Sequence, residues 1–353
     1  MRECFRNSPT SVRFSRGFFW FLLVSLAVAP VAQASVALFL EEPFGDFGGM
    51  NPTGHASIYL SRVCAASPVS LRRCRPGETG VVLSRYYRVD GYDWLAIPLI
   101  PYLYAVDRPD QVPAQVDPAQ IARLRDAYRR KYLERVAADG PGGTMPKGDW
   151  IQLVGAAYDR TIYSFELPTT PARDERFIRA FNRRHNKSHF NLLFHNCADF
   201  ARNVIDFYYP RLVHRSLVAD VGIMTPKQAA KCLVHFANKH PRLEMTSFVI
   251  PQVPGTAPRS KPVRGVLESI LKSKKYIVPL APLAVLHPYF GGSLAFAWLE
   301  DGHFNPRRVA SADDPEAQPD TIAQELKGQS SGGKISGRRS LKSAIELKTP
   351  AKN

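Results

Sequence analysis

The first 34 residues decide what the rest of this chain can be built from and where it must fold. Arg2, Arg6, Arg13 and Arg16 form a basic patch, the run from Gly17 to Val31 is almost wholly apolar, and Ala32-Gln33-Ala34 supplies a small-x-small pattern. That order reads as a secretory leader cut after Ala34. The apolar run is short for a bilayer span, which takes about 20 residues. Cys4 precedes the run, so it is not placed as a lipidated N-terminal cysteine. The expectation is an exported protein of the periplasm or cell envelope, with about 319 of its 353 residues left to fold. That length suits one or two domains.

Charge narrows the partners. The formal balance is +16, or about +13 without the leader. A surplus of that size draws a protein to anionic surfaces. For an exported chain the surface expected is lipid headgroup or cell-wall polymer. No basic run interleaved with aromatics marks a nucleic-acid module, so none is expected as a partner.

Four cysteines follow the leader: Cys64, Cys74, Cys197 and Cys232. Cys64 and Cys74 flank a polar, Arg- and Pro-rich stretch, Val63 to Gly77, and in an oxidising compartment they are expected to form a disulfide. Cys232 sits among Ala229, Ala230, Leu233 and Phe236 at helical spacing and reads as a core thiol. Cys197 is left without a structural role.

Local patterns give the organisation. Val36 to Leu40 and His55 to Leu60 read as strands around a glycine-rich stretch, and Val81 to Val89 and Trp94 to Ile97 as further strands. Asp117-Pro118 opens a helix with the stripe Ile121, Leu124, Tyr128, Tyr132 and Val136, ended by Gly140. Thr161 to Leu167 reads as a strand. Helices are expected from Pro171, from Cys197 to about Tyr208, and from Thr225-Pro226 to about Asn238. The catalytic domain is therefore placed at 35–251. An apolar extension follows at 252–310, and a Ser-, Lys- and Gly-rich tail at 311–353 reads as disordered. Tyr276 to Leu299 holds no charge over 24 residues, but its prolines and glycines favour two short amphipathic pieces over one span.

The chemistry centres on Phe190 to Arg202. An apolar run enters Asn196-Cys197 and an amphipathic helix follows at once, which sets Cys197 at a helix N-terminus. Free N–H groups and the positive end of the dipole there favour a thiolate and can serve an oxyanion. His55 opens a strand directly after Gly54 and could take the thiol proton as a neutral imidazole. His185 and His189, four apart, with His195 and Cys197 downstream, hint at zinc, but Asn186-Lys187-Ser188 is loop-like and no paired-cysteine knuckle exists. No metal or cofactor is expected.

Gly54-His55-Ala56-Ser57-Ile58-Tyr59-Leu60, followed far downstream by Asn191-Leu192-Leu193-Phe194-His195-Asn196-Cys197-Ala198-Asp199-Phe200-Ala201, resembles the circularly permuted papain-like hydrolases and acyltransferases. The group includes permuted NlpC-type peptidases and lecithin:retinol acyltransferase-like enzymes, and the cysteine segment is closest in style to the Lnb N-terminal periplasmic domain family. The resemblance covers about Val36 to Tyr209. It implies an α+β fold with a small antiparallel sheet against the helix of Cys197, and an acyl-enzyme at that cysteine with His55 as base. A long insertion between the motifs departs from the pattern, and the third, histidine-orienting residue is not fixed. Ser84 and Tyr86 are its candidates. Asn196 is expected to shape the turn or orient a backbone amide, Asp199 to steady the helix dipole, and His195 to serve packing or the turn. Amide or ester substrates in lipid, lipoprotein or peptidoglycan follow from the resemblance. The competing reading is an inactive binding or scaffold module of the same fold.

Overall fold

The sheet is built around β1, Ser35–Glu41, every residue of which is buried. A computed structural model describes residues 34–45, 52–146, 148–272, 278, 282, 286–302 and 304–312. The leader, nearly all of the tail and the first part of the uncharged stretch from Tyr276 lie outside the described residues.

In chain order the strands are β1, β2 (His55–Leu60), β3 (Val63–Ser67), β4 (Ser70–Arg73), β5 (Val81–Ser84), β6 (Leu95–Pro98), β7 (Ile162–Pro168) and β8 (Thr246–Ile250). Six make one sheet in the order β6-β5-β2-β1-β7-β8, and β3 and β4 form a separate hairpin. Every pairing is antiparallel. The helices are α1 (Leu99–Tyr104), α2 (Pro118–Tyr128), α3 (Ala156–Asp159), α4 (Pro171–Arg183), α5 (Cys197–Tyr208), α6 (Pro226–Lys239), α7 (Val266–Leu271), α8 (Pro288–Gly302) and α9 (Pro306–Ala312).

An antiparallel sheet commonly leaves one face in water, and its strands then alternate. Here both faces are covered, which is why β1 reads as a continuous apolar run. Val36, Leu38 and Leu40 enter one core with Phe177 and Phe181 of α4, Val204 of α5 and Leu233 of α6. Ala37 and Phe39 enter a second core with Tyr102 of α1, Ile121 of α2, and Trp150 and Tyr158. Residues 99–158, within the long segment between the two motifs, therefore supply the second layer of the protein. The architecture is mixed α and β on an antiparallel sheet, larger than the small one expected.

Three helices start where their local sequence says they should. Thr170 accepts from the Arg173 amide, Asn196 from Ala198 and Asp199, and Thr225 from Gln228. Each such cap is worth about 1 kcal/mol.

Elsewhere tertiary contacts override the local pattern. The polar stretch around Cys64 and Cys74 is a hairpin, with the two sulfurs bonded across it. The strand expected over Val81 to Val89 stops at Ser84, because Arg85 turns inward to Asp93 and Arg88 and Asp90 adopt positive φ. The helix expected from Pro118 to Asp139 is α-helical only to Tyr128, with a π-turn at Arg129–Leu133. That turn buries Arg129, whose guanidinium bonds Asp126, Asp139 and the Ala137 carbonyl. Beyond β8, residues 252–264 run back along the body: Gln252 donates to the Tyr158 carbonyl, and the Lys261 amide to the Pro43 carbonyl. Ala310 of α9 is fully buried in the first core. No helix among the described residues is long and apolar enough to cross a membrane.

Candidate active site

Cys197 is the first residue of α5, and its neighbours hold that position tightly. Asn196 caps the helix through its side-chain oxygen, and Asp199 reaches back to the Asn196 amide at 3.3 Å. The Asn196 amide nitrogen donates to the carbonyls of Leu192 and Met224, pinning the loops on either side of the helix start. Asn196 thus shapes the turn and leaves no free hydrogen for a substrate. Asp199 is buried and paired with Arg215. With Ala198 and Asp199 amides given to the cap, the Cys197 amide is without a partner among the described residues.

The sulfur lies at the level of the sheet. The backbone amides of Ala56 in β2 and of Ala198 are near enough to favour its ionised form. Ala56 follows His55 directly, and His55 and Cys197 line the same cleft of about 370 Å³.

Gly54, just ahead of the histidine, is not interchangeable with other residues. It has φ of +75°, and a Cβ there would lie 2.2 Å from the Glu41 carbonyl oxygen. Only glycine lets the chain turn so closely over β1 and enter β2 at His55.

Ser84, the last residue of β5, holds the ring. Its hydroxyl donates to the Ala56 carbonyl at 2.8 Å and lies 2.9 Å from His55 Nε2. A hydroxyl has one hydrogen. Since it goes to the carbonyl, Oγ accepts from Nε2–H, and the lone pair of the ring is on Nδ1. Tyr86 stacks on the other side, its ring centroid 5.3 Å from that of His55. The ring's hydrogen bond goes to Ser84 and does not join it to the sulfur.

Beneath His55 lies a charged pair that the sequence alone did not single out. Glu41 is opposite His55 in the β1–β2 register. Its carboxylate accepts from Ser57 at 2.7 Å, from Arg160 at 3.0 Å and from Tyr102. Glu41 and Arg160 are both buried. Tyr102, from the segment between the motifs, also bonds the Ser57 hydroxyl at 3.1 Å, so the second layer reaches the charged pair under the histidine. Arg85 is equally enclosed, bonded to Asp93 and to the Asn196 carbonyl at 3.2 Å.

Burial decides the protonation states. It pushes the Cys197 thiol up to about 11, against the amides of Ala56 and Ala198 and the guanidinium of Arg85, which act the other way. It pushes His55 down to about 4, against the attraction of Glu41. At neutral pH the pair is therefore thiol and neutral imidazole. The helix terminus was expected to favour a thiolate; desolvation outweighs it here.

The remaining histidines of the loop stand apart from this centre. His195 Nε2 is 2.6 Å from the Ser188 hydroxyl and 3.3 Å from Asp93. Cys232 is buried on α6, its sulfur donating to the His214 carbonyl. Among the described residues, one group has the ligand types and spacing of a metal site, Cys64, Cys74 and Glu78, and its two sulfurs are spent on each other.

The lining of the cleft combines apolar residues, among them Phe44, Phe190, Leu192, Leu193 and Met224, with the polar Thr53, Arg85, Asp149, Gln152 and Arg160. No family model matches the chain. No curated protein and no solved structure matches it either.

Proposed function

We propose that this chain is an exported thiol-dependent hydrolase or acyltransferase with a permuted papain-like fold, working in the cell envelope through an acyl-enzyme at Cys197. One observation carries the reading: the first residue of a capped helix is a cysteine that shares a cleft with His55, whose ring tautomer is set by Ser84. In this mechanism His55 Nδ1 takes the thiol proton as the sulfur attacks the acyl carbon. The same proton passes from Nδ1 to the departing amine or alcohol. The Cys197 amide is placed to receive the developing oxyanion. Water, or a second acceptor, then releases the acyl group. Because both groups rest neutral, the proton moves only when a substrate is attacked.

The many apolar residues in the lining of the cleft support an acyl chain of a lipid or lipoprotein over a peptidoglycan peptide. The test is turnover of a thioester or activated ester by the purified protein. It should disappear in Cys197→Ala and fall sharply in His55→Ala, and full turnover by Cys197→Ala would sink the proposal. The high thiol pKa favours a second reading, an inactive binding module. Selective labelling of Cys197 by a thiol-reactive acyl probe, lost in His55→Ala, counts against that reading.

A further inference from the structure

The mouth of the cleft is framed by two loops that hold large apolar side chains out in water. Leu192, Leu193 and Phe194 precede α5, and Leu217, Val218 and Val221 lie between α5 and α6. Their exposure runs from 40% at Val218 to 81% at Leu217.

These are built loops. Asn191 Oδ1 accepts from the amides of Leu193 and Phe194, fixing the tip of the first. Asn196 ties that loop to the second through the Leu192 and Met224 carbonyls. Arg215 donates to the Gly222 carbonyl and to Asp199, and its guanidinium lies 5.3 Å from the centre of the Phe194 ring. A soluble protein rarely keeps so many adjoining apolar groups exposed and ordered without a partner.

Charge identifies the partner. No Asp or Glu occurs between Glu175 and Asp199, nor between Asp206 and Asp220, while Arg183, Arg184, Lys187, Arg211 and Arg215 fall in those stretches. Asp93, Asp199 and Asp90 are paired with Arg85, Arg215 and Lys187, and Asp220 of the second loop is buried against Thr225 and the Val266 amide. Apolar side chains in stretches where cations outnumber acids suit the boundary between anionic headgroups and acyl chains.

We propose that the two loops form a lip that inserts into an anionic bilayer surface and sets the mouth of the Cys197 cleft at the level of the lipids. The substrate consequence, an acyl chain drawn directly from the bilayer, rests on the proposed acyl chemistry; the docking does not.

The test uses the full chain and vesicles of phosphatidylglycerol mixed with phosphatidylcholine, or of phosphatidylcholine alone. Wild type should sediment with the mixed vesicles and much less with the neutral ones. Replacing Leu192, Leu193, Phe194, Leu217 and Val221 by Ser removes five exposed apolar groups, and membrane partitioning should fall at least about tenfold. A Phe194→Trp protein, should the five-site variant misfold, gives a second reading. Brominated lipids should quench it beyond the wild type, which carries four tryptophans of its own. Cys197→Ala should bind vesicles like wild type, so full turnover by that variant with intact binding sinks the chemistry alone. Unchanged binding by the Ser variant, no added quenching in the Phe194→Trp protein, or self-association of wild type that the Ser variant abolishes would each overturn the lip.

Discussion

Ser84→Ala tests whether the hydroxyl sets the state of His55. The Ser84 side chain is fully buried and its oxygen serves two partners, the His55 ring and the Ala56 carbonyl. With alanine there, the Nε2–H loses its acceptor in a dry site. A buried donor left unmatched costs about 1–3 kcal/mol of stability. The cost to chemistry is separate. When His55 takes the thiol proton, the Ser84 bond becomes charge-assisted, worth about 1.5–3 kcal/mol, which corresponds to a rate loss of about 10- to 150-fold. The ring is also released to carry its proton on Nδ1, where it cannot act as a base. The assay is single-turnover acylation of Cys197 by an activated ester, beside thermal melts of the same samples. Ser84→Thr keeps the hydroxyl but crowds a packed site, so it should melt lower while recovering most of the rate. Folded Ser84→Ala protein acylating as fast as wild type would refute the assignment of Ser84 as the positioning residue.

Further outcomes follow from the same geometry. With its thiol held near 11, Cys197 should react slowly with iodoacetamide at pH 7, and its rate should keep climbing with pH past 9. A plateau from pH 5 to 8 would instead show a resting ion pair. His55 has a folded pKa of about 4 against 6.5 unfolded, so the unfolded chain binds the extra proton between those values. Stability is therefore full above about pH 6.5 and falls by about 3 kcal/mol as pH drops to 4. Melts of His55→Gln against wild type over that window should show the shallower acid slope in the variant. Glu41→Gln leaves Arg160 charged and enclosed, and denaturant titration should show a loss of about 3–5 kcal/mol. Replacing Cys64 and Cys74 by Ser opens a bridge between positions 10 residues apart, and the same titration should register about 2–3 kcal/mol.

What could be read from the sequence was what is decided within a few residues. Thr170-Pro171, Asn196-Cys197 and Thr225-Pro226 carry their caps beside them, and all three helices begin there. Ser84 and Tyr86 were reachable as candidates because both follow closely on a strand that returns alongside β2. Glu41 was not, since a carboxylate at the end of an apolar strand looks like a solvated edge until the register sets it against His55 and Arg160 closes over it. Arg160 and Arg85 gave no local signal either, for their burial depends on segments distant in the chain. β8 was missed for the same reason: Thr246–Ile250 is five residues long, and only its pairing with β7 makes it a strand. The thiol was misjudged because position on a helix is local, whereas desolvation comes from everything packed around it.

The central place of β1 also sets when the protein can become reactive. β1 and β2 can zip together early as neighbours in the chain, but the other side of β1 waits for β7, more than a hundred residues later, and β7 waits for β8. Pairings so distant form late. His55 and Cys197 are 142 positions apart, and nothing holds them in one cleft before that sheet closes. A growing or half-folded chain therefore carries an ordinary cysteine and an ordinary histidine, and the proposed nucleophile comes into being only with the last stages of assembly.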